Sequence, residues 1–221
     1  MTATLPEATP AGPGGGGEGV VYILDDDTAL CDSLGWLLES IGIHAHCFSD
    51  PAAFLDAFDR DRPACLVLDV RMPRFSGFQV QEFLAATGIP VAIVFVSAHG
   101  DIRMCVRALQ QGAVDFLEKP YDPQHMLEVV QRALHTARER YAEYAERRAV
   151  EAALGALSPR EREILHLVAE GVPSKEIAAA LCISLKTVDA HRARIRDKTG
   201  AETLGALVGD MLRCGVRRLA G

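Results

Sequence analysis

Short apolar runs that stop abruptly at an acid, a hydroxyl or a lysine recur along the first part of the chain. Val20-Val21-Tyr22-Ile23-Leu24 stops at Asp25-Asp26-Asp27, and Cys65-Leu66-Val67-Leu68 stops at Asp69. Val91-Ala92-Ile93-Val94-Phe95-Val96 stops at Ser97, and a shorter strand over 114–117 stops at Glu118-Lys119-Pro120. Unbroken runs of this length, without alternation, are the pattern of strands buried on both faces. A further strand is expected over 43–48. Between the runs the period changes. Leu30, Leu34, Leu37, Leu38 and Ile41 recur at helical spacing and end at Gly42. Helices are also expected from Pro51 to about residue 60, from Gly77 to about residue 86, from a cap at Asp101 to about residue 111, and from Pro123 onward. Five strands alternating with five helices predict a parallel, doubly wound α/β sheet.

The helical pattern after Pro123 continues through Arg138-Glu139-Arg140-Tyr141-Ala142-Glu143, a stretch dense in charge and in good helix formers. Its apolar stripe is thin: Leu134, Tyr141 and Tyr144. Four short helices follow. Ser158-Pro159-Arg160-Glu161 opens the first, with a capping serine, proline in the first turn and glutamate at the third position. Ser174 is expected to cap the second, and Ser184 the third, which runs to about Thr199. The fourth spans 203–214. The middle pair, parted by Cys182-Ile183, reads as a helix-turn-helix. The expected organisation is a disordered Gly/Pro-rich tail over 1–19, an α/β domain over 20–134, a helical linker over 135–156 and an all-α domain over 157–221.

Charge sharpens this division. Residues 158–221 contain eleven Lys and Arg against eight Asp and Glu, whereas the remainder contains 12 against 22. A basic module joined to an acidic one fits a partner that is a polyanion. The six cysteines are scattered without a Cys-x-x-Cys pair, so reduced thiols in a cytoplasm are expected rather than a disulfide or metal framework. No apolar run approaches the ~18 residues that span a bilayer. Gly14-Gly15-Gly16-Gly17 is no phosphate loop, since no strand precedes it and no Gly-Lys-Ser/Thr follows. His44 and His46 share a predicted strand face without a third ligand nearby, which points to edge-strand surface rather than a metal site.

The chemistry gathers at the strand ends. Asp25, Asp26, Asp69, Ser97 and Lys119 follow the first, third, fourth and fifth strands. In a sheet of order 2-1-3-4-5 those strands are contiguous, and their carboxyl ends flank the switch point where such folds place their sites. Three crowded carboxylates repel unless a cation joins them, and hard oxygen ligands suit Mg²⁺. A hydroxyl and an ammonium beside them complement phosphoryl oxygens.

Asp25-Asp26, Leu68-Asp69-Val70-Arg71-Met72-Pro73, Ser97-Ala98-His99-Gly100-Asp101 and Phe116-Leu117-Glu118-Lys119-Pro120 resemble the receiver domain of two-component response regulators, over about residues 20–134. The resemblance implies that Asp69 accepts a phosphoryl group from a sensor histidine kinase. It also implies that Asp25, Asp26, the Asp69 carboxylate and the backbone carbonyl of Arg71 hold Mg²⁺. Lys119 would pair with the phosphate, Ser97 would hydrogen-bond it, and Phe116 would be the switch aromatic. Lys119-Pro120 is similar to the family's Lys-Pro peptide, which is often cis. Asp27 is a third acid, with helix capping as its expected role.

Leu157-Ser158-Pro159-Arg160-Glu161, Gly171-Val172-Pro173-Ser174-Lys175-Glu176-Ile177-Ala178 and Ile183-Ser184-Leu185-Lys186-Thr187-Val188-Asp189-Ala190-His191-Arg192 resemble the LuxR-type helix-turn-helix. The pairing of the two modules is closest to the FixJ/NarL type. Winding residues 184–199 at 100° each turns Val188, Ile195 and Thr199 inward, and Lys186, Ala190, Ala193, Arg194 and Asp197 outward, toward a major groove. By resemblance, Asp189, Ala190 and Ala193 are the base-reading positions, while Lys175, Thr187 and Lys198 contact phosphate. Ser184, Lys186 and Arg194 complete the expected DNA face. Arg194 stands where relatives commonly have Asn, and Asp189 where many have Lys.

The function expected is a cytoplasmic, sequence-specific transcription regulator of a two-component system. Its partners would be a sensor histidine kinase, double-stranded promoter DNA, RNA polymerase and, once phosphorylated, a second copy of itself, with no membrane. It would be no enzyme beyond slow Mg²⁺-dependent self-phosphorylation and autodephosphorylation. Two rivals differ in class. A haloacid-dehalogenase-type phosphatase needs Asp-x-Asp-x-Thr/Val after the first strand, where this chain has Ala29. A constitutive DNA-binding regulator would use the α/β domain only to scaffold dimers.

Overall fold

Every residue of β1 (Val20–Leu24), β3 (Ala64–Asp69) and β4 (Val91–Ser97) is buried. This is what uninterrupted apolar runs require of central strands. In the computed structural model, which describes residues 19–73 and 75–216, they join β2 (Ala45–Phe48) and β5 (Asp115–Glu118) in a parallel sheet of order β2-β1-β3-β4-β5. The predicted fold class and strand order are those observed. Residues 1–18 of the tail expected over 1–19, and residues 217–221 of the second module, lie outside the described residues.

Side-chain alternation along the strands makes two cores. Tyr22, Leu24, Leu66, Leu68, Ile93 and Phe95 face one side, and α2 (Pro51–Ala57), α3 (Gly77–Thr87) and α4 (Ile102–Gln110) cover it. Val21, Ile23, Cys65, Val67, Val94 and Val96 face the other side, under α1 (Thr28–Glu39) and the first turns of α5 (Pro123–Gly155). Leu66 and Leu68 are fully buried at the centre, where truncation to alanine typically costs about 3 kcal/mol.

Some boundaries depart from expectation, each for a local reason. α2 ends at Ala57 rather than near 60. Phe58 turns extended and packs its ring on Tyr22, whose hydroxyl accepts the Asp59 N–H at 3.1 Å. β2 begins at Ala45 rather than 43, because Gly42 takes a positive φ and Ile43 N–H closes α1 on the Leu38 carbonyl. His44 therefore lies outside the strand, both His44 and His46 are exposed, and neither belongs to the carboxylate cluster described below. β5 is shifted by one residue, to Asp115–Glu118.

The chain divides into two compact units between Tyr141 and Ala142, inside the 33-residue α5. In the second unit α6 (Pro159–Ala169), α7 (Ser174–Ala180), α8 (Leu185–Thr199) and α9 (Leu204–Arg213) surround Ile164, Leu165, Ile177, Val188, Ile195, Leu207 and Met211. Val150 and Leu154, late in α5, are buried in this same cluster. Ser158, Ser184 and Thr203 cap α6, α8 and α9 through their side-chain oxygens. Ser174 does not cap α7. Pro173, preset at φ −63°, takes the capping position, and the Ser174 hydroxyl accepts a hydrogen bond from Arg192 at 2.9 Å. That bond ties α8 to α7. Their connecting turn puts Cys182 at φ 53°, a left-handed conformation unusual for a residue with a Cβ.

Beneath α8 lies a buried charge. Glu161 is 3% exposed, accepts the Ser158 N–H at 2.8 Å, and meets the Lys198 ammonium at 2.7 Å. Burial alone raises a carboxyl pKa, but Lys198 and the Ser158 hydrogen bonds outweigh it and hold Glu161 down to about 2. A folded-state pKa below the ordinary 4.5 means stability that is complete above about 4.5 and lost as pH falls through about 2. Glu161→Gln should lower stability at neutral pH by about 2 kcal/mol, discounted because the Lys198 partner is partly exposed. Urea unfolding at pH 7 and pH 3 checks this, and the gap between variant and parent should narrow at the lower pH.

Candidate functional site

The parallel order brings the carboxyl ends of β1, β3, β4 and β5 to one rim, and the sequence-predicted residues meet there. Asp25 and Asp69 are buried, at 5% and 6% exposure, and Asp26 is exposed. One carboxylate oxygen from each lies within 4.8 Å of the others, the only such cluster among the described residues. Lys119 reaches across from the end of β5, its ammonium 2.5 Å from Asp25 Oδ2 and 3.6 Å from Asp69 Oδ1. The cluster is a set of hard oxygen donors already drawn to a cation, and so fits a divalent ion such as Mg²⁺.

Backbone contacts fix these groups in place. The Asp25 N–H donates to the Phe48 carbonyl, the Val70 N–H to the Val96 carbonyl, and the Lys119 N–H to the Ser97 carbonyl. Asp27 caps α1, accepting from the Ala29 and Leu30 N–H groups, which is the role expected of it. Burial raises the Asp69 pKa, reinforced by Asp25 and Asp26 and opposed by Lys119 and the Arg71 N–H. Burial alone would lower Lys119, but the hydrogen bond to Asp25 and the charges of Asp25 and Asp69 raise it instead.

Ser97 is fully buried, and its Oγ accepts the His99 N–H at 3.3 Å. Phe116 is half-buried, its ring centroid 6.3 Å from that of Phe95. The Lys119-Pro120 peptide is cis. Arg71 bridges back to Ser76, and the chain enters α3 at Gly77. Sequence reasoning missed two glycines here. A Cβ at Gly77 would collide with the Asp69 carbonyl and come within 2.9 Å of Phe95, and one at Gly100 would lie 2.7 Å from the Phe116 ring. Both contacts are long-range, so no local signal announces them.

In the helical unit, Lys175 on α7 and Lys186, Asp189, Ala190 and Arg194 on α8 are exposed, as are Ser184 and Thr187 at the α8 N-terminus. The last two share a 2.8 Å hydroxyl hydrogen bond, and Thr187 N–H caps onto Ser184 Oγ. Val188 and Ile195 are buried, and Thr199 is half-buried with its hydroxyl donating to the Ile195 carbonyl. Ala193 is half-buried rather than outward. Lys198 stands apart from the other basic residues because its ammonium is held by Glu161.

Known proteins give these two sites a context. Residues 21–131 match the response regulator receiver domain, and residues 155–208 match the bacterial regulatory proteins of the luxR family. The chain is 42% identical over 213 residues to the transcriptional regulatory protein TdiR of Thauera aromatica, covering 93% of this chain and 94% of that one. It is 36% identical over 199 residues to FixJ of Bradyrhizobium diazoefficiens, covering 90% and 97%. The structure of the response regulator StyR superposes with a TM-score of 0.73 at 36% identity, covering 89% of this chain and 99% of that one. Receiver domains bind Mg²⁺ at an acidic pocket of this kind, pair with histidine kinases, and here precede a DNA-binding module. Two-domain matches along nearly the whole chain, with the carboxylate pocket and helix-turn-helix in place, establish that the protein belongs to the two-component response regulators, as a FixJ-type transcription regulator with a LuxR-type DNA-binding domain.

Proposed function

We propose that Asp69 is the phosphoacceptor and that its phosphorylation switches DNA binding by driving dimerisation. The observation that carries this reading is the buried Asp69 carboxylate, flanked by Asp25 and Asp26 with the Lys119 ammonium at 3.6 Å. In the transfer, an Asp69 oxygen attacks phosphorus while the P–N bond of the kinase's phosphohistidine breaks. The bonding pair returns to the imidazole, and an aspartyl phosphate remains. Asp25, Asp26, Asp69 and the Arg71 carbonyl would hold Mg²⁺, which when bound offsets charge on the phosphoryl oxygens. Lys119 supplies a fixed cation to the same oxygens, and Ser97 has a hydroxyl proton left to donate.

The new charge then draws Ser97 and Phe116 toward the acceptor and remodels the α4–β5 face. On α4, Ile102, Val106 and Leu109 are exposed at helical spacing, an apolar stripe suited to a second copy of the same chain. Dimerisation would deliver two α8 helices to half-sites about 34 Å apart. There Asp189, Ala190 and Ala193 would read bases, with Lys175, Ser184, Lys186, Thr187, Arg194 and Lys198 around them, and RNA polymerase would receive the output. We assign the protein no turnover beyond slow self-phosphorylation and autodephosphorylation. No described helix is long and apolar enough to cross a membrane, and promoter binding assigns the protein to the cytoplasm.

Asp69→Asn should abolish acetyl-phosphate labelling, dimerisation on sizing columns and the labelled protein's promoter shift together. Retention of phosphodonor-dependent dimers in this variant overturns the reading. Val106→Glu should keep Asp69 labelling while shifting the phosphorylated protein to the monomer position, since it puts like charges into the apolar stripe. Arg194→Ala and Lys186→Ala should each weaken promoter binding. For a phosphate contact, the slope of log affinity against log salt should fall by about one.

A further inference from the structure

Two thiols sit side by side next to the acidic pocket, and nothing in the phosphoryl-transfer reading uses them. Cys31 lies in the first turn of α1, 3% exposed, and its thiol donates to the Asp25 backbone carbonyl at 3.6 Å. Cys47, on the edge strand β2, is exposed to solvent, and its Sγ is 3.5 Å from the Cys31 carbonyl oxygen. The neighbouring Cys31 lowers the Cys47 pKa, against the opposing effects of burial and Asp32. An accessible thiol of lowered pKa beside a second, resolving thiol is the arrangement found in redox-sensing pairs. Of the other four, Cys65 is fully buried, and none shares a hydrogen bond with another cysteine among the described residues.

We propose that Cys31 and Cys47 form a reversible intramolecular disulfide, a redox modification site that acts on the Asp25 side of the pocket. The oxidant is a peroxide. The Cys47 thiolate attacks one peroxide oxygen, the O–O bond breaks, and water leaves as Cys47 becomes a sulfenic acid. Cys31 Sγ then attacks the Cys47 sulfur, the S–O bond breaks, and a second water leaves. Two thiols have given two protons and two electrons to one hydrogen peroxide, yielding one S–S bond and two waters. A dithiol reductant reverses the step. Once bonded, Cys31 has no proton to donate to the Asp25 carbonyl, and the first turn of α1 is tied to β2. The segment that presents Asp25 and Asp26 loses one of its anchors. A displaced carboxylate pair slows transfer to Asp69, a consequence that rests on the phosphoacceptor reading above.

The test uses the full chain, treated with one equivalent of hydrogen peroxide, alkylated and mapped by mass spectrometry. The expected product is a monomer lacking two hydrogens, with the Cys31 and Cys47 peptides linked. The link should be absent from Cys31→Ser, where dimedone traps a Cys47 sulfenic acid, and from Cys47→Ser. Alkylation of both thiols after treatment, or a link through any other cysteine, overturns the proposal. The second readout is acetyl-phosphate labelling, expected to be roughly tenfold slower in the oxidised protein and restored by dithiothreitol. Equal rates overturn the coupling to the pocket. Absence of labelling in both redox forms counts against Asp69 as acceptor instead, and leaves the mapped disulfide standing on its own result.

Discussion

The Lys119 ammonium, drawn in between Asp25 and Asp69, is the interaction on which the receiver half depends. Three carboxylates within 4.8 Å of one another would drive the rim apart if left alone. One fixed cation offsets part of that repulsion, and the pocket keeps an excess of two negative charges over positive. A divalent ion is its complement in charge. The strand order follows from the same requirement, because only neighbouring β1 and β3, with β5 within a lysine's reach, bring these groups together. The two apolar cores on either side of the sheet supply the stiffness that holds such a pocket under strain.

The helical half solves a related problem with one charge. Glu161 both closes the capping box of α6 and anchors the C-terminal turn of α8 through Lys198. Helix α8 is thus held at its last turn by an ion pair, and at its middle by the Arg192 bond to Ser174. Its exposed cations besides Lys198, which is already engaged, are Lys186, Arg194 and Arg196, with Lys175 exposed on α7.

Much of this was legible in the sequence because it is local. Apolar runs stopped by charged residues gave away strand ends, and serines and aspartates gave away several helix starts, since a cap forms within three residues. What escaped was non-local. Phe58 left its helix for Tyr22, and Ser174 gave up its capping role to Arg192 from another helix. Val150 and Leu154 looked like part of a charged linker until the core they fill was known. The pocket residues were found early because each sits at a strand end. The thiol pair was not, because Cys31 and Cys47 are sixteen positions apart, with helix, turn and strand between them.

Gly100 carries a different kind of information. Its missing side chain leaves room for the Phe116 ring, which a methyl group would meet at 2.7 Å. Position 100 thereby records, in a single residue, where the aromatic rests. A homologous chain with alanine or anything larger there must hold its ring elsewhere or bend the loop after its fourth strand. The resting balance of such a regulator would then be set by one genetic step outside both the carboxylate pocket and α8.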